Sequence, residues 1–418
     1  IASGATFNLI ALLDGVAGGT YDAPTDTLAF TSNSGWIRPA AWITMPTLTA
    51  ADERFYGIVA VFENRYNVIA VTLNSTSSNI NWGDGTSVVS NGGQRVKVYD
   101  YASLVGTVNV WPTGENYKQV LVDITRVGVA ITSMDWMTLG AVNYYGGNNF
   151  IDVNFSLPSL TTCNLSLDPP SGTKGMTMLQ RLRIWSSGTI AGQFFRGLKS
   201  LRVVQFPATF QGSFSNAFLN GGEVDDCGNM NFGTSTAITN FWSGTGLKKH
   251  GSYTANSVVG NGTNYVQYCG QLAQFGTINA TLQTTFDSFF YECYTLMAVG
   301  LITAPAATNL SSMFFRCTIL GSVQFSNCAT VTTTTSMFGN CVGLFDCVMP
   351  NLTRGVNFTG TAMANYGMNR FANSLGIASG AQTITATGTP FSALITAADA
   401  TALAIRAVIT GKGFTYTN

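Results

Sequence analysis

The chain has 418 residues, with 20 Lys and Arg against 20 Asp and Glu, so its formal net charge is zero. Only 10% of residues are charged, against about 25% in an ordinary soluble domain, and 45 Gly with many Thr, Ser and Asn fill the gap. This excludes the basic footprint of a nucleic-acid-binding protein, and no unbroken apolar run approaches the ~18 residues that span a bilayer.

Reactive residues are scarce. His250, in Gly246-Leu247-Lys248-Lys249-His250-Gly251-Ser252, is the single imidazole, and its basic and glycine neighbours predict a solvated loop. A histidine-based triad would have to use it, and a histidine-rich metal site is excluded by count. No C-x-x-C pair, phosphate-binding glycine loop or dinucleotide fingerprint occurs. No metal, cofactor or catalytic residue is therefore expected. A pair of distant carboxylates could still serve a glycosidase, because such a pair leaves no motif.

Residues 1–35 are rich in Gly, Ala, Thr and Asp with little periodicity, and predict an N-terminal arm or connection. The opening apolar stretch has no basic n-region and is broken by Asp14 and Gly15, which makes it a poor secretory signal. Residues 36–135 predict β structure. Two apolar runs flank Glu63-Asn64-Arg65, as in a hairpin. In Ile80-Asn81-Trp82-Gly83-Asp84-Gly85-Thr86, the two glycines supply left-handed positions for a tight turn and Trp82 anchors the incoming strand. Asp84 is either a calcium-binding or reactive carboxylate, or a turn residue that caps its own backbone; the second reading is the simpler. Alternating segments follow, through Tyr99-Asp100-Tyr101 and then Tyr117–Gly128. This order is similar to PKD-like immunoglobulin-type β-sandwiches, with Tyr99-Asp100-Tyr101 standing where that family usually has His-x-Tyr. The resemblance implies a β-sandwich over 36–135.

A repeat occupies 136–385. Cys269, Cys293, Cys317 and Cys341 recur every 24 residues, and Leu272, Leu296, Leu320 and Leu344 follow each by three. Ser312-Met313-Phe314-Phe315-Arg316-Cys317 and Ser336-Met337-Phe338-Gly339-Asn340-Cys341 are the clearest copies. Earlier copies run back through Phe241-Trp242 and Phe194-Phe195 to Leu157-x-x-Leu160, with Leu198 on the Cys position, and a later one places Asn365 there. One copy cannot bury its apolar face alone, so copies must stack and line up equivalent side chains in ladders. A buried Cys packs as a small apolar residue, so the ladder cysteines are read as structural rather than metal-binding. Cys163, Cys227, Cys328 and Cys347 lie off the ladder. The motif M-F-x-x-C-x-x-L resembles the BspA-type leucine-rich repeat of bacterial surface and virion proteins. The fold class expected is mainly β: a PKD-like sandwich, then a leucine-rich solenoid, then a helix-strand cap over 386–418. In that cap, Thr396–Asp399 reads as a capping box, Gly411 as a helix C-cap, and 381–387 and 413–417 as strands.

The segment Arg38-Pro39-Ala40-Ala41-Trp42-Ile43, followed by Phe55-Tyr56-Gly57-Ile58, looks like a module of tailed-bacteriophage structural proteins. The resemblance implies a fibre, spike or decoration protein on the virion surface. Its expected partners are other virion proteins, met through the N-terminal region, and a host glycan or protein. A homo-oligomer, a trimer among the options, is expected, with no nucleic acid and no membrane insertion. A bacterial cell-surface adhesin is the alternative, and a glycan-degrading spike a third. Tyr253, Tyr265, Tyr291 and Tyr294 are the candidate exposed aromatics for binding; Trp82, Asp84, Cys269, Cys293, Cys317 and Cys341 are structural candidates.

Overall fold

The computed structural model describes residues 36–418 apart from 75–77, 137–148, 165–177, 188–189, 192–194, 208, 210–211, 234, 236–237 and 257–259. The expected arm over 1–35 and the repeat residue Phe194 lie outside the described residues. The described chain is mainly β: an N-terminal pair of sheets, a β-solenoid of about eight turns, and a helical end.

The N-terminal strands are β1 (Arg54–Phe62), β2 (Asn67–Leu73), β3 (Asn79–Asn81), β4 (Ser87–Val89), β5 (Gln94–Tyr99), β6 (Asn109–Val110), β7 (Asn116–Thr125) and β8 (Ser133–Asp135). The chain then adds β9 (Phe150–Leu157), β10 (Thr162–Asn164), β11 (Arg181–Ser187), β12 (Ile190–Ala191) and β13 (Val203–Gln205). One sheet runs β13-β11-β9-β1-β7-β3-β4, with β6 beside β7; a second runs β10-β8-β2-β5. Alternate residues of β1 face opposite ways. Phe55, Val59 and Val61 join Ile69, Val71 and Tyr99 of the second sheet in one core. Tyr56, Ile58, Ala60 and Phe62 pack under Trp42, Met45 and Leu48 on the other face. Because both faces are covered, β1 reads as a continuous apolar run rather than an alternating one.

The expected hairpin at Glu63-Asn64-Arg65 does not form. β1 pairs with β7 and β9, and β2 pairs with β5 and β8, so this turn carries the chain from one sheet to the other. Asn67 makes the crossing possible. Its side-chain oxygen accepts from Phe62 N at 2.7 Å, and its amide donates to Phe62 O at 2.8 Å and Arg65 O at 3.0 Å. A side chain thus supplies the bonds a partner strand would have made.

The Gly-Asp-Gly turn is built as its residue types require. Gly83 and Gly85 have φ of 79° and 85°, and a Cβ on Gly83 would stand 2.5 Å from Leu121 O. Asp84 accepts from Thr86 N at 3.1 Å and pairs with Lys97. Burial opposes its charge, but the bonds from Lys97 and Thr86 outweigh it and hold its carboxyl below the usual range. Trp82 is buried, and its carbonyl accepts from the Tyr99 hydroxyl at 2.8 Å.

The solenoid starts from the first sheet without a break. β9 pairs antiparallel with β1 but parallel with β11, and β11 pairs parallel with β13. In later turns, strands of two or three residues stack in parallel. Lys249–His250, Gln274–Phe275, Ala298–Val299, Ser322–Gln324 and Asp346–Val348 form one column; Met230–Asn231, Tyr253–Thr254, Ile278–Asn279 and Ile302–Thr303 form another. His250 is therefore in a strand and buried, not in a solvated loop. Strand alternation turns Lys249 outward and His250 inward, where it stacks on Phe275 at 4.1 Å.

Beyond Asn357 the repeat gives way to helices α1 (Asn365–Ser374), α2 (Pro390–Thr396) and α3 (Ala400–Gly411). Asn365 begins α1 instead of occupying a Cys position. Gly367 lets α1 lie against the last turn, since a Cβ there would stand 2.0 Å from Phe345 O. The expected capping box is also replaced. Thr396 ends α2, Asp399 caps α3 by accepting from Ala402 N at 2.8 Å, and the chain leaves α3 at left-handed Gly413, not at Gly411. The strands Val356–Asn357, Gln382–Thr385 and Phe414–Thr417 form a closing parallel sheet.

Candidate recognition face

The face is generated by the six-residue corner before each ladder cysteine. In the corner 287–292, Ser288, Phe290 and Glu292 donate their N–H groups to Ser311, Met313 and Phe315 carbonyls of the next turn, at 2.8–2.9 Å. The residues between them bond locally: Phe289 N to Phe286 O, Tyr291 N to Ser288 O, and Cys293 N to Phe290 O. This alternation needs two left-handed residues four apart, and they recur every 24 residues. The first is Asn216, Asn240, Asn264, Ser288, Ser312 or Ser336, and the second Asn220, Gly244, Tyr268, Glu292, Arg316 or Asn340.

The cysteines complete the same network. Cys269, Cys293, Cys317 and Cys341 donate their thiols to the carbonyls of Trp242, Val266, Phe290 and Phe314, at 2.8–3.1 Å. Each of these carbonyls also accepts a local corner N–H, so the thiol takes its second lone pair. A Cys here is small enough to pack and still a donor. Thr245 holds the equivalent place one turn earlier and touches Cys269 Sγ at 3.3 Å. Burial pushes the thiols up, to about 12 for Cys269 and Cys341, which opposes thiolate chemistry. All eight cysteines are buried and free. Among the described residues, no three His, Cys, Asp or Glu are grouped to hold a metal.

Inside the corner, Phe290, Phe314, Phe338 and Phe358 stack face to face at 5.2–5.8 Å with interplanar angles of 9–14°. Outside it, Tyr291 stacks on Phe315 at 5.0 Å and meets Tyr268 edge-on at 5.7 Å. Glu292 accepts from Arg316 at 2.7 Å and from the Tyr294 hydroxyl at 2.6 Å, a bond that raises the phenol above its usual range. The Arg316 guanidinium lies 5.4 Å over the Phe315 ring. In the same turns, Met297, Ile319, Val342 and Phe345 are also exposed.

The structure separates the four candidate tyrosines. Tyr291 is half-buried and Tyr294 is 42% exposed, but Tyr253 and Tyr265 are fully buried and present nothing to a ligand. Tyr265 precedes Cys269 by four residues, the core position that Phe289 holds before Cys293, and its hydroxyl bonds His250 Nε2 at 3.0 Å. Tyr253 points inward from its strand and donates to Gln283 Oε1 at 2.6 Å. Sequence reasoning missed Tyr268 (51% exposed), Glu292, Phe315 and Arg316. Counting back one and two residues from each cysteine would have found them.

No family model matches the chain, and no curated protein matches it. A solved structure that does align, a leucine-rich repeat protein from Bacteroides ovatus, covers 57% of this chain and 86% of its own at 11% identity. Its TM-score of 0.16 is too low to carry an argument.

Proposed function

We propose that the chain is a surface-displayed recognition protein without catalytic activity, adhesin-like in its use of a solenoid face. The observation that carries this reading is the surface row in which Tyr268, Tyr294 and Arg316 are exposed alongside half-buried Tyr291, Glu292 and Phe315, fixed by inter-turn bonds three to a corner. Rows held this rigidly meet a ligand with little ordering cost. The polar and aromatic side chains suit a glycan or a protein of the host surface.

The setting we propose is the surface of a tailed-phage virion. There the N-terminal sheets act as a PKD-like module that meets other virion proteins, and the chain assembles as a homo-oligomer such as a trimer. The support is the sequence of 36–62 and the Trp82-Gly83-Asp84-Gly85-Thr86 turn. A bacterial cell-surface adhesin is the second reading, supported by the leucine-rich rungs. A glycan-degrading spike has less support, because Glu223, Asp225, Asp226, Glu292 and Asp346 are each engaged in an ion pair.

Two measurements test the proposal. Mass spectrometry of purified particles places the chain on virions or removes it from them. Binding of the purified chain to host cells should fall about tenfold or more in a Tyr294→Ala, Arg316→Ala variant, the size expected when a charged anchor is lost. Binding unchanged by the double substitution refutes this face.

A further inference from the structure

The face of β9 and β11 that lies under the segment 38–48 carries an arginine cluster that the proposed function does not use. Asp152 on β9 is fully buried. Arg181, its cross-strand neighbour on β11, donates Nε to Asp152 Oδ1 at 2.9 Å and Nη2 to Oδ2. Arg38, from the segment that covers this face, donates Nε to Oδ2 at 3.0 Å. The carboxylate is thereby taken up by two guanidinium groups.

Arg183 stands two residues further along β11, on the same face, and has no counterpart. Its Nε and Nη2 are buried and have no hydrogen-bond partner among the described residues. These two nitrogens form the same edge that Arg181 turns toward Asp152. The nearest polar side chain in register, Asn154, is already committed: its amide donates to Pro46 O at 3.1 Å and its oxygen accepts from Trp185 Nε1 at 2.6 Å. Two positions along β9 on that face, the hydroxyl of fully buried Ser156 is also without a partner among the described residues. Three guanidinium groups therefore gather near one carboxylate that pairs with two of them, in a chain whose net charge is zero. Burial, then the charges of Arg181 and Arg38, oppose the Arg183 cation, with Asp152 only partly offsetting them.

A buried guanidinium edge without an acceptor is costly to a fold. Two parallel donors on one edge match two oxygens on one centre. We propose that Arg183, turning this edge outward from its half-buried position, anchors an oxyanion-binding site, taking the carboxylate, sulfate or phosphate group of an external ligand. Arg181 and Arg38 add electrostatic attraction while staying paired to Asp152. This site lies apart from the solenoid corner, and it stands or falls independently of the recognition face.

The test uses the full chain and three probes, sulfate, acetate and glucuronate, with glucose as the neutral control and chloride at matched ionic strength. Titration calorimetry and melting curves are recorded for wild type, Arg183→Lys and Arg183→Met. The expected result is saturable binding of at least one anion, weakened about tenfold in Arg183→Lys, which keeps the charge but loses the two-pronged edge. Arg183→Met should show no binding, and without ligand it should melt no lower than wild type, because an unpaired buried charge has been removed. Glucuronate bound more tightly than sulfate and acetate identifies an acidic sugar as the source; equal binding identifies a free oxyanion, and both support the site. The proposal is overturned by any of three results. They are no saturable binding, binding undiminished in Arg183→Met, or a ligand-free Arg183→Met that melts well below wild type.

Discussion

Phe314→Ala is the sharpest test of the ladder. Phe314 is fully buried and sits between Phe290, 5.2 Å away, and Phe338, 5.8 Å away, both within 9° of parallel. Truncating a buried Phe costs about 3–5 kcal/mol, and two ring contacts worth about 0.5–1.5 kcal/mol each beyond burial put this site toward the upper end. Phe314→Leu retains most of the volume and should cost roughly 1–2 kcal/mol. Phe315→Ala, one residue on, removes a half-exposed ring stacked on Tyr291 and should cost about 1 kcal/mol. Denaturant unfolding followed by circular dichroism ranks the three. Hydrogen exchange should show the extra opening within 287–340 and little change in β1 and β7, because a solenoid turn is coupled chiefly to its neighbours. A Phe314→Ala variant within about 1 kcal/mol of wild type, or no worse than Phe315→Ala, refutes the stacking argument.

Three further outcomes follow from local chemistry. Burial lowers His250 to about 4 from 6.5, so the unfolded chain binds the extra proton between those values; its contribution is complete above pH 6.5 and lost on the way down to about 4. The loss amounts to roughly 3 kcal/mol, and urea midpoints at pH 7 and 4.5 should differ less in His250→Phe than in wild type; equal differences refute a neutral buried imidazole. Gly83→Ala must hold φ near 79° with a Cβ 2.5 Å from Leu121 O, and should lower stability by about 2 kcal/mol or more in the same unfolding assay. Ser336→Gly, at an exposed position with φ of 53°, should raise stability by up to about 1 kcal/mol; a loss would mean that the left-handed corner carries no strain.

The solenoid was legible because its signal is spaced, not local. A 24-residue period in Cys and Leu survives any uncertainty about which residues form strands. Phase was harder to read. Tyr265 and Tyr268 look alike in the sequence, yet one fills the core and the other the surface, because the corner alternates inter-turn and local bonds. His250 was misplaced because Lys248, Lys249 and Gly251 describe the neighbours of a strand residue as well as those of a loop. The crossing at Glu63-Asn64-Arg65 resembles a hairpin because both join two apolar runs through polar residues; the difference lies in Asn67, whose role appears only with its three bonds. The arginine cluster left no motif at all, since Arg38, Asp152 and Arg181 are brought together by folding from far apart in the chain.

The pairing of β1 with β9 has a consequence for assembly. The solenoid grows by parallel addition, and any parallel stack exposes edges onto which a further copy could grow. Here the first strand of the stack is already bonded to an antiparallel neighbour. A second molecule cannot extend the rod from that end, because the acceptor and donor positions it would need are occupied. The reversal of strand direction thus acts as a terminator at this edge, where a further copy finds no strand left to pair with.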